Sequence, residues 1–293
     1  MITFYRLFGR LPLPFLYAFS SVAAALLYYV ARYRRAVVRD NLANALPELT
    51  DAQRLTIEKG VYRHLCDLGV ELLASRTLPR EVFRERITLE NPELLDEFKN
   101  QQQSILFLTC HQGNWEWLSH VVNDYLGCPI DAVYKTLHNS AFDAFVLEAR
   151  SRSGRPIELK TAGREILRRR REFRGFAMLA DQSPFKREKR YWHDFFGRLS
   201  SFYFGPQKIA EATQYPVIYA AMTKPRRGHY RMRFEILARP PYPKGGTEIL
   251  DKYIATVERA IRVQPEIWMW TNRKWKHEPP TADESDEQLD ATD

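Results

Sequence analysis

Apolar positions recur along this chain with two different periods, and the alternation between them outlines an α/β fold. Between Arg10 and Arg32 no residue is charged, a run close to the ~20 residues that span a bilayer as a helix. Pro12 and Pro14 suit the turn into it, so residues 15–30 are predicted helical. Residues 39–75 read as a helical stretch. Thr50-Asp51 supplies an N-cap signal, and Val61, Leu65, Leu68, Leu72 and Leu73 form the apolar stripe. His64 falls within that run and is expected to be structural. Short runs rich in Ile, Leu, Val and Phe then alternate with amphipathic ones. Strands are predicted at 105–109, 130–134, 156–159 and 176–180, with helices at 92–100, 115–126, 140–151 and 163–172. Residues 181–204 read as a long aromatic and basic loop, a kind that is often functional. A helix at 206–213, strands at 217–222 and 230–237 around the turn 225–228, and a closing helix at 247–263 complete the pattern. The alternation predicts a mixed, largely parallel sheet flanked by helices, preceded by an N-terminal membrane-anchoring helix.

Charge divides the chain further. The net charge is +8, and because seven acidic and no basic residues lie between Glu278 and Asp293, the residues before them carry +15. A body so positive points to anionic partners: phosphorylated lipid, an anionic membrane face, an acidic carrier protein or nucleic acid. The expected division is an anchor at 1–35, one domain at 36–277 and a disordered acidic tail at 278–293. Tyr28, Tyr29 and Tyr33 suit an interfacial belt, and Arg32, Arg34, Arg35 and Arg39 form a basic flank that would keep the body on the cytoplasmic side of the membrane. Two alternatives stay open, a cleaved signal peptide and a helix lying in the interface. Cys66, Cys110 and Cys128 are odd in number and lack metal spacing, which fits a reducing compartment.

The chemistry concentrates just after the 105–109 strand, in Thr109-Cys110-His111-Gln112-Gly113-Asn114-Trp115-Glu116. Gly113-Asn114 breaks the strand and Trp115 opens a helix, so His111 falls on a strand-to-helix turn, where catalytic groups of open α/β sheets sit. Residues five apart on one ideal helix point about 140° away from each other. With His111 on the turn, however, Glu116 in the first helical turn is expected to reach the imidazole. His111 would then act as general base while Glu116 fixes its tautomer. The N–H groups of Gly113 and Asn114 would receive a developing oxyanion. Cys110 reads as a small buried filler more readily than as a nucleophile. Glu116 and His120 lie four apart with His111 upstream, but no His-Glu-x-x-His element is present, so no metal and no cofactor are expected. The chain has no Gly-x-Ser-x-Gly elbow, which argues against an acyl-serine intermediate.

The spacing His-x-x-x-x-Glu at a strand end resembles the signature of the glycerolipid acyltransferases. Its fuller form, His111-Gln-Gly-Asn-Trp-Glu116, resembles the late acyltransferases of bacterial lipid A biosynthesis, the lauroyl and myristoyl transferases. Tyr134-Lys135 with Asn139 and Asp143, the block Arg150-Ser-Arg152, the loop Leu179-Ala-Asp181-Gln182, and Pro265-Glu266 through Trp270 and Lys276 extend the resemblance over most of the chain.

The resemblance implies O-acyl transfer from a thioester on acyl carrier protein to a hydroxyl of an anionic glycolipid, a lipid A precursor. It favours Arg150 and Arg152 as substrate-binding residues. Arg164, in a cluster with Arg168 to Arg171 and Arg174, is read either as docking lipid phosphates or an acidic carrier, or as part of a solvated helix face. Asp181, at a predicted strand end, either enters the site or initiates a turn before Ser183-Pro184. Trp115, Trp117, Trp192, Phe195 and Phe196 would line an acyl channel or simply fill core. A lysophospholipid or other glycolipid is the alternative acceptor. The alternative outside enzymology is a basic protein that binds membrane or nucleic acid, and no nucleic-acid-binding motif supports the latter.

Overall fold

The computed structural model describes residues 2–184 and 190–278. Helix α1 (Ile2–Phe8) leads to α2 (Leu13–Ala25), which ends in a π-helical turn at Leu26–Val30. The stretch Leu13–Val30 is long and apolar enough to anchor in a membrane. It does not stand free of the body. One side of α2 packs Leu13 and Leu16 against Val70 and Ala74 of α4 (Asp51–Ser75). The same side is fixed by polar contacts to α4. Ser20 Oγ donates to Asp67 Oδ1 at 2.6 Å, and the Tyr17 hydroxyl donates to Glu71 Oε1 at 2.7 Å. The opposite side leaves Phe15, Phe19, Val22 and Leu26 exposed.

The helical run expected at 39–75 is two helices, α3 (Arg35–Ala45) and α4. Pro47 lacks the N–H that would continue the ladder, and Thr50 then caps α4. Its Oγ1 accepts from Gln53 N at 3.3 Å while Thr50 N donates to Gln53 Oε1 at 2.8 Å, a reciprocal capping box. The short helix α5 (Arg80–Arg86) and strand β1 (Ile87–Leu89) follow, both too brief to show a period in the sequence.

From here the alternation runs as predicted: α6 (Asp96–Asn100), β2 (Ile105–Thr109), α7 (Trp115–Leu126), β3 (Ile130–Tyr134), α8 (Ser140–Arg150), β4 (Ile157–Glu158), α9 (Ala162–Arg168) and β5 (Gly175–Leu179). Where a loop was expected, residues 190–203 form a hairpin, β6 (Arg190–Phe195) and β7 (Arg198–Tyr203). Phe196 and Gly197 turn it with φ of 58° and 70°, the left-handed pair a two-residue hairpin turn requires. Helix α10 (Gly205–Thr213), strands β8 (Val217–Arg226) and β9 (His229–Ala238) and helix α11 (Glu248–Val263) complete the domain.

Among the described residues seven strands make one sheet in the order β1-β9-β8-β2-β5-β3-β4. The five from β8 to β4 are parallel, and β9 with β1 run the other way. Strand β2 is buried along its whole length, as the centre of such a sheet must be. Leu106 and Leu108 join the core on the α11 face, and Ile105 and Phe107 join the core on the α7 face. A buried Phe of this kind is worth about 3–5 kcal/mol on truncation to Ala. The carboxyl ends of β2, β5, β3 and β8 therefore share one edge, and the loop after β2 opens there.

Trp268 and Trp270 are buried and close the C-terminal layer. Lys274 is buried with them, its Nζ 3.3 Å from the centre of the Phe202 ring and donating to Ser201 O at 2.8 Å. Residues 279–293 of the expected acidic tail lie outside the described residues.

Candidate functional site

Everything around His111 is tied to at least two neighbouring elements. At the end of β2, Thr109 Oγ1 donates to Ala220 O at 2.9 Å, and the Tyr253 hydroxyl of α11 donates to Thr109 O at 2.8 Å. The same hydroxyl accepts from Ala180 N at 3.1 Å, so it pins the ends of β2 and β5 together. Beyond it the chain pairs with the stretch after α11. Met269 N donates to His111 O, and Gly113 N donates to Ile267 O, each at 3.0 Å. Gly113 has φ of +64°, and a Cβ there would lie 2.7 Å from Met222 Cγ, so the turn requires glycine. Asn114 caps α7, its Oδ1 accepting from Trp117 N at 3.0 Å while its Nδ2 donates to Glu71 Oε2 at 2.7 Å.

This frame aims His111 at Asp181. Its Nδ1 lies 2.7 Å from Asp181 Oδ1, and its backbone N donates to Asp181 Oδ2 at 3.1 Å. Trp268 Nε1 donates to that same Oδ2 at 2.8 Å. A carboxylate can only accept, so Nδ1 carries the proton and Nε2 holds the lone pair. Nε2 has no hydrogen bond among the described residues and faces a narrow crevice lined by His64, Leu68, Trp115, Trp268 and Met269. The edge of His111 meets Trp115 at 5.0 Å between ring centres. The His111 side chain is 20% exposed and that of Asp181 1%. Burial pushes the Asp181 carboxyl up, but the imidazole and two further N–H donors outweigh it and hold it below the usual carboxylate range.

Glu116, the carboxylate expected on His111, is bonded elsewhere. Its Oε2 accepts from Arg150 Nε at 2.9 Å and its Oε1 from Arg150 Nη2 at 2.6 Å, with Trp115 Nε1 adding a third donor at 3.1 Å. Burial raises the Glu116 carboxyl and the guanidinium more than reverses that, leaving it low. The reason is the helical geometry itself: Glu116 leaves the first turn of α7 toward α8, not back toward the strand end. The amides proposed for an oxyanion are also taken. Gly113 N is used by Ile267 O, and Asn114 N, fully buried, points at Met222 Sδ at 2.9 Å.

The arginines separate. Arg150 lies beside the site through Glu116, its guanidinium 5.8 Å from the Tyr134 ring centre. Arg152 turns away and donates to the carbonyls of Ser75 and Leu78, closing the C-terminal end of α4. Arg164 is exposed on α9, behind β4, the edge strand three places from β2, and is not among the crevice residues. Of its cluster, Arg169 and Arg174 are buried on Asp131 at 2.7 and 3.0 Å, a structural tie between α9, β5 and β3. Cys110 is buried against the Tyr219 hydroxyl, and burial holds its thiol well above the ordinary value, as a filler requires. His120 stacks on Phe83 and meets Ser153 Oγ. Trp117, Phe195 and Phe196 are core, and Trp115 alone of the proposed channel aromatics touches His111. Three residues of the site carried no functional expectation: Tyr253, Trp268 as the donor to Asp181, and His64, whose Nε2 meets Gly113 O at 3.2 Å. Each acts across more than 45 residues of sequence or through a partner that no local pattern names.

Comparison with known families gives one match, to the model of the bacterial lipid A biosynthesis acyltransferases, over residues 1–277. The chain belongs to that family. Comparison with curated proteins gives no match.

Proposed function

We propose that this member of the lipid A acyltransferases moves a fatty acyl chain from a thioester on acyl carrier protein to a hydroxyl of a lipid A precursor, with His111 as general base. The observation that carries it is the His111–Asp181 pair at 2.7 Å, with Nε2 unbonded on the open side. The acceptor hydroxyl gives its proton to Nε2 as its oxygen attacks the thioester carbonyl. Asp181 holds the imidazole in the basic tautomer and stabilises the imidazolium; that role passes to it from Glu116. When the tetrahedral intermediate collapses, the C–S bond breaks and the thiolate takes the proton back, leaving an ester and a free thiol. Negative charge on the intermediate needs a donor other than Gly113 and Asn114. Arg150, whose Nη1 is not used in either bond to Glu116, is the counter-charge we assign.

The apolar stretch Leu13–Val30 and the basic residues after it support work at the cytoplasmic face of an inner membrane. The purified chain, given acyl carrier protein loaded with a fatty acyl chain and a lipid A precursor, should release thiol and yield a lipid heavier by one acyl group in mass spectrometry. Thioester hydrolysis with no acylated lipid would overturn the assignment.

A further inference from the structure

A second cavity, of about 650 Å³, lies between the N-terminal segment and the body and has no part in the proton transfers above. Ala24, Ala25 and Tyr28 form one wall, with α4 and the β8–β9 hairpin forming the others. Five cations face it: Lys59 and Arg63 from α4, and Lys224, Arg226 and Arg227 from the hairpin. Against them stand the carboxylates of Asp67 and Glu266, a net of +3 with His64 neutral.

The cations are of two kinds. Lys224 Nζ donates to Asp67 Oδ2 at 3.0 Å and Arg227 Nη2 to Asp67 Oδ1 at 2.6 Å, so their charge is already met. The side chains of Lys59, Arg63 and Arg226 are exposed and make no hydrogen bond or ion pair among the described residues. Lys59 and Arg63 stand four apart on one helix, where like charges repel. An unpaired, self-repelling group of cations around a concavity is an anion site.

Two further features identify the anion. Tyr29 lines the cavity and is exposed, and its neighbours on the same segment, Val22, Leu26 and Val30, are exposed apolar side chains too. A phosphorylated lipid, with an apolar part beside its charged head, matches this pairing of cations and exposed apolar side chains. On the inner side His64 and Ile267 line both this cavity and the crevice that holds His111. A head group seated here lies next to the base. Given the acyl transfer proposed above, we propose that this cavity holds the phosphorylated head group of the lipid acceptor, with Lys59, Arg63 and Arg226 binding phosphate and its acyl chains lying along the exposed face of the N-terminal segment.

The test is the full chain with Lys59→Gln, Arg63→Gln and Arg226→Gln combined, assayed with a lipid A precursor dispersed in neutral detergent. KM for the acceptor should rise roughly fivefold per lost cation, about a hundredfold for the three, while KM for the acylated carrier protein stays within about twofold. The wild-type advantage should shrink as salt is raised and should vanish for acceptor pretreated with phosphatase. Should the triple variant fold poorly, Arg63→Gln alone should still raise the acceptor KM about fivefold. A rise confined to the donor's KM would assign the cavity to the carrier protein and overturn the proposal. So would an unchanged acceptor KM with weaker binding to phosphatidylglycerol vesicles, which would make the patch a reader of bulk anionic lipid. Equilibrium binding of the acceptor in a His111→Ala background separates this from the base assignment. Binding there should persist and then be lost with the three substitutions, whereas normal turnover by His111→Ala would sink the base assignment and leave the cavity test standing.

Discussion

Two carboxylates flank the loop after β2, both buried and both held in their charged form, yet only one can take part in moving a proton. Glu116 is matched to Arg150 by two parallel bonds, and the guanidinium stays protonated at any working pH, so the pair is electrically fixed. Asp181 is matched to His111, an imidazole whose other ring nitrogen is left unbonded beside the crevice and can take up a proton. Asp131, clasped by Arg169 and Arg174, repeats the fixed arrangement and is not among the residues that line the His111 crevice. Depth of burial and a lowered carboxyl pKa are shared by Glu116 and Asp181 and do not by themselves single out the acid that works with a base. The partner's capacity to exchange a proton, and its place on a crevice, separate them in the proposed reading.

Removing His111 should have the largest effect. His111→Ala is expected to lower turnover by about four orders of magnitude and to leave the melting temperature within a few degrees, since the ring is partly exposed. Asp181→Asn should lower turnover by about three orders of magnitude, because an amide can present an N–H to Nδ1 and favour the wrong tautomer. The same substitution tests the pH dependence of stability. The Asp181 carboxyl is depressed in the folded state. Its contribution is complete above the unfolded value of about 3.9 and is lost as pH falls through the lower folded value. The melting-temperature gap between wild type and Asp181→Asn should accordingly narrow as pH is lowered through the acid range. A gap that widens on acidification would contradict the assignment.

Glu116→Gln sharpens the contrast from the other side. It strands a buried guanidinium, so it should cost about 3 kcal/mol of stability in denaturant titration while turnover drops by no more than about tenfold. A Glu116 that fixed the His111 tautomer would give the reverse, a large loss of turnover with little loss of stability. Wild-type stability combined with a hundredfold loss of turnover would restore Glu116 as the partner of His111.

Why the sequence favours Glu116 over Asp181 is instructive. Strand β2 and helix α7 lie where the apolar pattern puts them, at 105–109 and 115–126, and His111 follows from that placement. A carboxylate five residues away is visible in one dimension, and one seventy residues away is not. What brings Asp181 in is strand order and register. Strands β2 and β5 are neighbours, with Thr109 opposite Leu179, so the residue two past each strand end is shared between adjacent corners of the sheet. Nothing in either segment's composition dictates that β5 rather than β3 lies against β2. The same blindness covers Trp268 and Tyr253, which reach the site from beyond β9. It also covers the amides of Gly113 and Asn114, which look free at a helix start until the 265–270 stretch and Met222 occupy them. Arg152 and Arg169 look like anion-binding residues in sequence because the carbonyls and carboxylate they satisfy are distant.

Tyr253→Phe should give the smallest effect and bears on how that corner is held. The hydroxyl is fully buried and bonded to both strand ends, donating to Thr109 O and accepting from Ala180 N. Its loss leaves a buried N–H and a buried carbonyl each short of a partner, a cost of about 1–3 kcal/mol. Thr109 and Ala180 lie two and one residues before His111 and Asp181, so a relaxed corner should lengthen the bond between them slightly. Turnover should fall about fivefold or less, with acceptor KM unchanged, because the proposed general base and its carboxylate both remain. Turnover as low as that of Asp181→Asn would mean that the pair depends on Tyr253 for its geometry. Unchanged stability would mean that Trp268 and the His111 backbone amide hold Asp181 unaided, and that the hydroxyl fills space without joining the strands.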